Sequence, residues 1–265
     1  MDNQKIDYFN VNVSVVNLYS EPSFRSEIIT QALLGESCLI IDRKENWIKI
    51  KQWDGYISWV NSFYGVESAQ PYYGSDMMMD SIGRIVDTET HNTIRTIVFG
   101  DRLQSITDSE LKSVILPDGR KGKTSAYLRS VKVKPNRSDI INTAMKFIGA
   151  PYAWGGKSPY GFDCSGFVQT IFNSVGIELP RDAADQADFL KHESVDYTAI
   201  QPGDLLFFKV EDFVDHVAIS IGNNEYIHSR GFVRISSFRK ENEEYIELLD
   251  RHLEQCTSIN HWIES

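Results

Sequence analysis

The most informative segment of this sequence reads Gly161-Phe162-Asp163-Cys164-Ser165-Gly166-Phe167-Val168. Glycines on both sides of the cysteine indicate an exposed turn, and the apolar residues from Phe167 to Val175 predict a helix that begins near Cys164. The unpaired N–H groups at a helix start favour negative charge, which would lower the pKa of a thiol from its ordinary value of about 8.5. The segment therefore indicates a nucleophilic cysteine, although a lone cysteine is more often a small buried residue.

Two of the six histidines stand where they could activate that thiol. His216 begins an alternating strand, and His228 ends a second strand further along the chain. A turn at 222–225 would pair the two strands and bring the imidazoles side by side. A cysteine at a helix start, a base, and a second ring that orients the base are the parts that papain-like catalysis requires. Either histidine alone would be interpreted as structural.

The same residue types could instead hold zinc. Zinc sites favour ligands at short spacing and often paired cysteines, whereas Cys38, Cys164 and Cys256 lie far apart in the sequence. An odd and sparse set of cysteines also makes no disulfide framework, and Cys38 lies in an apolar run that suits a buried thiol. We therefore expect no metal and no cofactor.

Around this segment the residue pattern predicts an α+β fold with an antiparallel sheet. The run 139–148 has apolar residues at helical spacing, with Ser138 as the predicted cap and Gly149 as the predicted end. Apolar runs that predict strands follow the helices, at 204–208, 216–222 and 226–228.

The first 135 residues are predicted to form short strands separated by turns, which suggests small barrels. Alternation at 11–15 and 47–51 predicts half-buried strands. Residues 52–55, between the strand at 47–51 and a further strand at 56–60, predict a hairpin in which Asp54-Gly55 supplies the positive φ angles. Residues 84–133 repeat this texture less regularly, with a turn at 117–119.

Composition limits the classes of function and partner. The net charge of −10 argues against nucleic acid, and we interpret the basic groups at 119–134 as a turn and a linker. No apolar run is long enough to span a membrane. The first seven residues lack the basic and apolar regions of a signal peptide, so we expect a cytoplasmic protein, and we expect a monomer. If an export signal has been removed, the protein would be periplasmic or secreted.

The order of several short motifs resembles the NlpC/P60 cysteine peptidases of bacterial cell-wall metabolism. The matching blocks lie between residues 138 and 240: Tyr152, Trp154-Gly155-Gly156, 161–168, Pro180-Arg181-Asp182 with Gln186, 201–208, 216–222 and 226–229. The resemblance implies a papain-like catalytic domain in which Cys164 is the nucleophile, His216 the general base and His228 its orienting partner. It also implies that Tyr152 helps to stabilise the oxyanion, for which core packing is the alternative.

The N-terminal half is similar to two bacterial SH3-like barrels, which often accompany this catalytic domain and bind wall material. In relatives that cut γ-D-glutamyl–diamino acid bonds, the first barrel closes the active site. There an acidic residue and a tyrosine of the barrel, with Asp163, would bind the free amine of an N-terminal L-Ala. Glu21 and Tyr56 are the candidates, against the alternatives of a solvated turn residue and a packed strand aromatic. The implied domains are two barrels followed by the peptidase, at 1–66, 67–135 and 136–265.

Ser165, Arg181 and Asp182 complete the substrate site that the resemblance implies. After an Arg-Asp pair the family frequently has a Ser that touches the substrate, and this chain has Ala183 there. This departure puts the fine specificity in doubt and leaves the chemistry unchanged.

The implied reaction is hydrolysis of the γ-D-glutamyl–L-diamino acid bond, to diaminopimelate or Lys, during recycling of wall peptides. Its substrate would be a murein tripeptide or a peptidoglycan stem peptide. Three competing functions stay open: a hydrolase of intact peptidoglycan with the barrels as anchors, a catalytically silent wall-binding protein, and an acyl or amide transferase on the same scaffold.

Overall fold

The computed structural model describes residues 7–107, 111–130, 134–210 and 212–263. The chain divides into two compact units, Met1–Val131 and Lys132–Ser265. In the described parts no helix is long and apolar enough to cross a bilayer. The domain boundaries expected at 66 and 135 stay predictions.

The N-terminal unit contains two antiparallel sheets whose strands follow the same order. The first sheet consists of β1 Tyr8–Val11, β2 Val15–Tyr19, β3 Ile28–Leu33, β4 Ser37–Lys44, β5 Trp47–Lys51, β6 Ile57–Asn61 and β7 Gly65–Ser68, with a 3-10 turn at Ser62–Tyr64. The second consists of β8 Asp76–Met78, β9 Ile82–Val86, β10 Thr93–Val98, β11 Arg102–Ser105, β12 Lys112–Ile115, β13 Lys121–Thr124 and β14 Leu128–Ser130. Their orders are β3-β2-β6-β5-β4-β1-β7 and β10-β9-β13-β12-β11-β8-β14, so the second sheet repeats the topology of the first. This confirms the prediction of two small all-β modules.

Each sheet encloses its own apolar core. Phe9, Leu18 and Ile50 are fully buried in the first core, which also takes Cys38. Met78 and Leu103 are fully buried in the second. Alternation along the strands places these side chains inside, because successive residues of a strand point to opposite faces.

The strand predicted at 11–15 is wrong. Val11 ends β1 and Val15 begins β2, and the backbone turns between them. The Asn12 N–H donates to the carbonyl of Tyr64 at 2.9 Å, outside any strand ladder. The sequence alternates through this turn because Val13 packs against the same core as Val11. The alternation therefore reports burial of the two valines and not a continuous strand.

The hairpin predicted at 52–55 is confirmed and joins β5 to β6. Its geometry differs from the prediction, because Gly55 has a φ of +87° whereas Asp54 does not have a positive φ. The Asp54 carboxylate instead accepts the N–H of Tyr56 at 3.0 Å. This local hydrogen bond holds the turn with a single left-handed residue.

A buried carboxylate connects the two sheets of the N-terminal unit. Asp101 is fully buried and accepts the N–H of Leu34 at 3.1 Å and that of Val98 at 2.7 Å. Leu34 follows β3, whereas Val98 ends β10. The side chain therefore satisfies one backbone donor from each module.

The C-terminal unit has the α+β organisation that the sequence predicts. Its elements are α1 Arg137–Met145, β15 Lys157–Ser158, β16 Gly161–Phe162, α2 Cys164–Ser174, α3 Ala183–Phe189, β17 Leu205–Phe208, β18 His216–Gly222, β19 Glu225–Arg230, β20 Phe232–Ser237, α4 Glu247–Arg251, β21 Leu253–Thr257 and α5 Asn260–Ile263, with 3-10 turns at Lys191–Glu193 and Tyr197–Ala199. The main sheet is antiparallel in the order β20-β19-β18-β17-β21. Helix α2 packs against β18 and β19, which brings the helix start close to the strands that carry the histidines.

The cap of α1 differs from the prediction by two residues. The side chain of Asn136, and not that of Ser138, accepts the N–H of Asp139 at 2.8 Å. Ser138 instead donates its hydroxyl to Asn136 at 2.7 Å. The predicted turn between β18 and β19 is confirmed, with positive φ at Asn223 and Asn224.

Candidate active site

Cys164 is the first residue of α2, as the sequence predicts. Asp163 caps this helix, and its Oδ1 accepts the N–H of Gly166 at 2.6 Å. A Cβ at Gly166 would lie 2.2 Å from the carbonyl oxygen of Gly156, so only glycine fits at this position. The close approach holds the preceding loop against the start of the helix.

A buried ion pair lies beside the nucleophile. The Arg181 guanidinium donates to both oxygens of Asp163, at 3.1 and 2.5 Å, and to Ser165 Oγ at 3.0 Å. Three of the predicted substrate-binding residues therefore come together, but as a network in which Arg181 is almost completely buried. Asp182 is half-buried and precedes α3. The contact of these residues with substrate stays a prediction.

Cys164, His216 and Tyr152 line one pocket of about 280 Å³. Tyr152 is 37% exposed, so its phenol is accessible to a bound molecule. The thiol lies 3.8 Å from the carbonyl oxygen of Asp215, the residue before the base. The full lining consists of Tyr152, Cys164, Val210, Asp215, His216, Ser229, Arg230, Gly231 and Leu249.

His228 lies directly behind His216. Nε2 of His216 and Nδ1 of His228 are 2.7 Å apart, so Nδ1 is the nitrogen of His216 that remains for the thiol. His228 is completely buried, with Tyr226 edge-on to its ring at 5.1 Å. The ring of Phe208 lies 5.6 Å from that of His216. Packing thus fixes both imidazole planes.

Burial has the largest effect on the pKa values of Cys164 and His216. Desolvation, assisted by the charge of Asp163, raises the pKa of the Cys164 thiol to about 12. Desolvation and the charge of Arg230 lower the pKa of His216 to about 3. The expected lowering of the thiol pKa is therefore wrong for the free protein, because loss of hydration outweighs the helix-end effect. The pair rests as a thiol beside a neutral imidazole.

Tyr152 titrates in the same sense. Burial raises the pKa of its phenol to about 12, and the negative charges of Asp163 and of an ionised Cys164 act in the same direction. The hydroxyl consequently stays protonated at neutral pH and is available as a hydrogen-bond donor.

Arg230 is a pocket residue that the sequence analysis missed. It stands two positions after His228 on β19, and strand alternation places such residues on the same face. That alternation was an available signal. The contact between the thiol and the carbonyl of Asp215 could not be predicted, because any residue type offers a backbone carbonyl.

The two predicted residues of the first barrel lie in the N-terminal unit. Glu21 is exposed, and its backbone carbonyl accepts a hydrogen bond from the hydroxyl of Ser26 at 3.0 Å. Tyr56 is half-buried beside the Asp54-Gly55 turn. Their predicted role in binding a substrate amine stays a prediction.

Two family models match this chain. One is described as the NlpC/P60 family and matches residues 149–248, which include both the cysteine and the two histidines. The other is described as the bacterial dipeptidyl-peptidase Sh3 domain and matches residues 18–62.

Several relatives are similar over most of the chain. The γ-D-glutamyl-L-lysine dipeptidyl-peptidase of Bacillus cereus is 32% identical over 77% of this chain and 68% of its own length. The protein of the same name from Bacillus subtilis is 31% identical over 76% of this chain and 72% of its own length. A crystal structure of an NlpC/P60 family protein from Bacillus cereus superposes with a TM-score of 0.81 at 25% identity, covering 95% of this chain and 99% of that chain.

Proposed function

This chain belongs to the NlpC/P60 family of cysteine peptidases, and on that premise we propose that it hydrolyses the γ-D-glutamyl–L-diamino acid bond of murein peptides. The observation that carries the proposal is the placement of Cys164 and His216 on one pocket, with His228 hydrogen-bonded behind the base. Two relatives named for the γ-D-glutamyl-L-lysine bond support this choice of substrate.

The first half of the reaction forms a thioester. Cys164 Sγ attacks the amide carbonyl carbon while its proton passes to Nδ1 of His216. This transfer as the bond forms suits a pair that rests neutral, since neither charge has to exist alone in the buried site. The protonated phenol of Tyr152 and the first N–H groups of α2 donate to the oxygen that becomes negative. His216 then gives its proton to the leaving amine of the diamino acid.

The second half regenerates the enzyme. Water attacks the thioester carbon, and His216 accepts a proton from it. The thiol leaves with that proton, and the acyl group departs as the free carboxylic acid of L-Ala-γ-D-Glu. His228 holds Nε2 of His216 throughout, so the ring presents Nδ1 first to the thiol and then to water.

Arg230 supplies positive charge to the pocket, and we assign it to the free α-carboxylate of D-Glu. Arginine pairs well with carboxylates because its guanidinium can donate two parallel hydrogen bonds. A tripeptide whose α-carboxylate is amidated tests this assignment. Wild type should cleave the acid faster than the amide, whereas Arg230→Gln should cleave the two at similar rates. Equal discrimination by both proteins would exclude Arg230 from carboxylate recognition.

The substrate is tested with defined peptides and mass spectrometry. The purified protein is offered L-Ala-γ-D-Glu-L-Lys, its diaminopimelate analogue, N-acetylated versions of both, and intact sacculi. We expect L-Ala-γ-D-Glu and the free diamino acid from the unblocked tripeptides. Cleavage of sacculi but not of tripeptides would favour the hydrolase of intact wall and would contradict a role in recycling released peptides.

A transferase and a silent wall-binding protein would each give a distinct result. A transferase would form peptide–amine adducts when an amine acceptor is added to the tripeptide reaction. A silent wall-binding protein would leave Cys164 no more reactive toward iodoacetamide at neutral pH than Cys38 or Cys256. We expect hydrolysis without adducts and preferential alkylation of Cys164, because His216 can accept the proton of the otherwise neutral thiol as the sulfur is alkylated.

A further inference from the structure

The hydrogen-bond chain from the nucleophile continues past His228. Nε2 of His228 lies 3.1 Å from the hydroxyl oxygen of Ser236, and both residues are completely buried. In the register of β19 and β20, His228 is opposite Arg234, so Ser236 is its diagonal neighbour on the same face. Ser236 thus stands one step behind the residue that orients the base.

The direction of each proton follows from the work that His216 must do. To accept the thiol proton, Nδ1 of His216 must be unprotonated, so the neutral ring carries its proton on Nε2. That proton is donated to Nδ1 of His228 across 2.7 Å. A neutral His228 then carries its own proton on Nε2, which faces Ser236.

We propose that Ser236 is a positioning residue of the catalytic pair, whose hydroxyl accepts the Nε2–H of His228 and so selects the tautomer in which His216 can act as base. The opposite arrangement, with the serine donating to Nε2, would place a proton on Nδ1 of both rings. His216 would then have no lone pair to offer the thiol. When the Ser236 hydroxyl accepts the Nε2–H of His228, Nδ1 of His216 stays unprotonated and can accept the proton of Cys164.

The same hydrogen bond becomes stronger when the pair is charged. Once His216 has taken the thiol proton, positive charge is shared between the two rings and His228 Nε2–H becomes a charge-assisted donor. The surroundings otherwise oppose this charge, because the pair is buried and Arg230 and Arg234 are cations on β19 and β20. Further titratable groups near the two histidines are Cys164 on α2, Tyr226 on β19, and Tyr152 and Asp215 of the pocket. Ser236 therefore stabilises the state that activates the thiol.

The next residue provides a matched control. Ser237 is also buried and lies on the same strand, but its hydroxyl donates to the carbonyl of Asn224 at 3.4 Å, away from the histidines. Ser237→Ala removes the same atom from the same element without touching the chain of imidazoles.

The test follows alkylation of Cys164 by iodoacetamide as a function of pH, resolved by peptide mass spectrometry. This readout needs no peptide substrate, so its failure is distinguishable from failure of the proposed function. We expect Ser236→Ala to slow alkylation near neutral pH about tenfold, the loss of about 1.4 kcal/mol from the protonated pair. Ser236→Thr, which keeps the hydroxyl, should restore most of the rate, and Ser237→Ala should match wild type. Equal rates for the two alanine variants would overturn the proposal.

Nitrogen-15 NMR of the wild-type histidines gives a second readout that does not depend on whether any variant folds. We expect His228 to carry its proton on Nε2 and to accept at Nδ1. A resting His228 with its proton on Nδ1 would overturn the assignment of Ser236 as acceptor, whatever the kinetic result.

Discussion

Replacing Arg181 with Met should destabilise the C-terminal unit far more than the loss of an exposed arginine would. The Arg181 side chain is 1% exposed and that of Asp163 is 10% exposed, so the substitution strands a carboxylate away from water. Removing one partner of a buried ion pair costs about 3–5 kcal/mol. Arg251 is the matched control, because its side chain is 72% exposed in an ion pair with Glu247. Arg251→Met should change the free energy of unfolding by less than about 1 kcal/mol.

A double-mutant cycle separates the ion pair from its parts. Asp163→Asn retains an oxygen that can accept the Gly166 N–H, but it leaves Arg181 buried without a counter-charge. The double variant Asp163→Asn/Arg181→Met contains no unpaired charge at this position. It should therefore be less destabilised than the sum of the two single variants.

The two units can be followed separately through their buried thiols. Cys256 lies on β21 of the C-terminal unit, whereas Cys38 lies in the core of the first sheet. Their alkylation at increasing urea concentration reports the unfolding of each unit. For a slope of roughly 2 kcal/mol per molar urea, Arg181→Met should lower the Cys256 midpoint by about 2 M and leave that of Cys38 in place. Additive single effects, or an Arg181 variant as stable as the Arg251 variant, would refute the reasoning.

Three further predictions concern stability. Gly166→Ala should destabilise the C-terminal unit and slow alkylation of Cys164, because the new Cβ meets the Gly156 carbonyl; urea curves with normal stability would contradict this. Asp101→Ala should cost the N-terminal unit about 1–3 kcal/mol by removing the side-chain acceptor of the buried Val98 N–H, because the Leu34 N–H keeps the carbonyl of Ser14 at 3.2 Å as a second acceptor; Asp101→Asn, which keeps one acceptor oxygen, should cost less. Since burial lowers the pKa of His216 to about 3, the unfolded chain binds a proton there that the folded chain refuses. This histidine should therefore reduce stability as pH falls from about 6.5 toward 3, by at most about 1.4 kcal/mol per pH unit, and His216→Asn should make the dependence of stability on pH less steep in urea titrations. His228, whose pKa burial also lowers, adds to the same dependence.

The sequence predicted the parts of the site that local pattern controls. Cys164 begins a helix because Asp163 caps it and apolar residues at helical spacing follow. His216 and His228 lie side by side because an Asn-Asn turn with positive φ pairs their strands. These features depend on neighbours within a few residues, which the sequence displays directly.

Features that depend on register and burial could not be predicted. The pairing of Arg181 with Asp163 joins residues 18 positions apart and depends on how α3 follows α2. Ser236 reaches His228 because of the offset between β19 and β20, which no residue pattern encodes. The raised pKa of Cys164 follows from its depth in the folded unit, so the helix start alone suggested the wrong direction.

The repeat in the N-terminal unit was suggested only by the succession of short predicted strands and turns. The two sheets share one strand order, yet their buried residues differ, with Phe9 and Ile50 in one core and Met78 and Leu103 in the other. Topology is set by which strands pair, and different apolar residues can fill equivalent positions. The two sheets are therefore clearly similar in strand order but only weakly similar in sequence.

Turnover of L-Ala-γ-D-Glu-L-Lys by wild type, Cys164→Ala and Cys256→Ala tests the central claim most directly. Cys256 is a second buried thiol of the same unit, on a strand that does not line the pocket. If the sulfur at 164 is the nucleophile, the first variant will release no lysine while the second will match wild type. Lysine release by Cys164→Ala would show that another group performs the attack and would contradict the account.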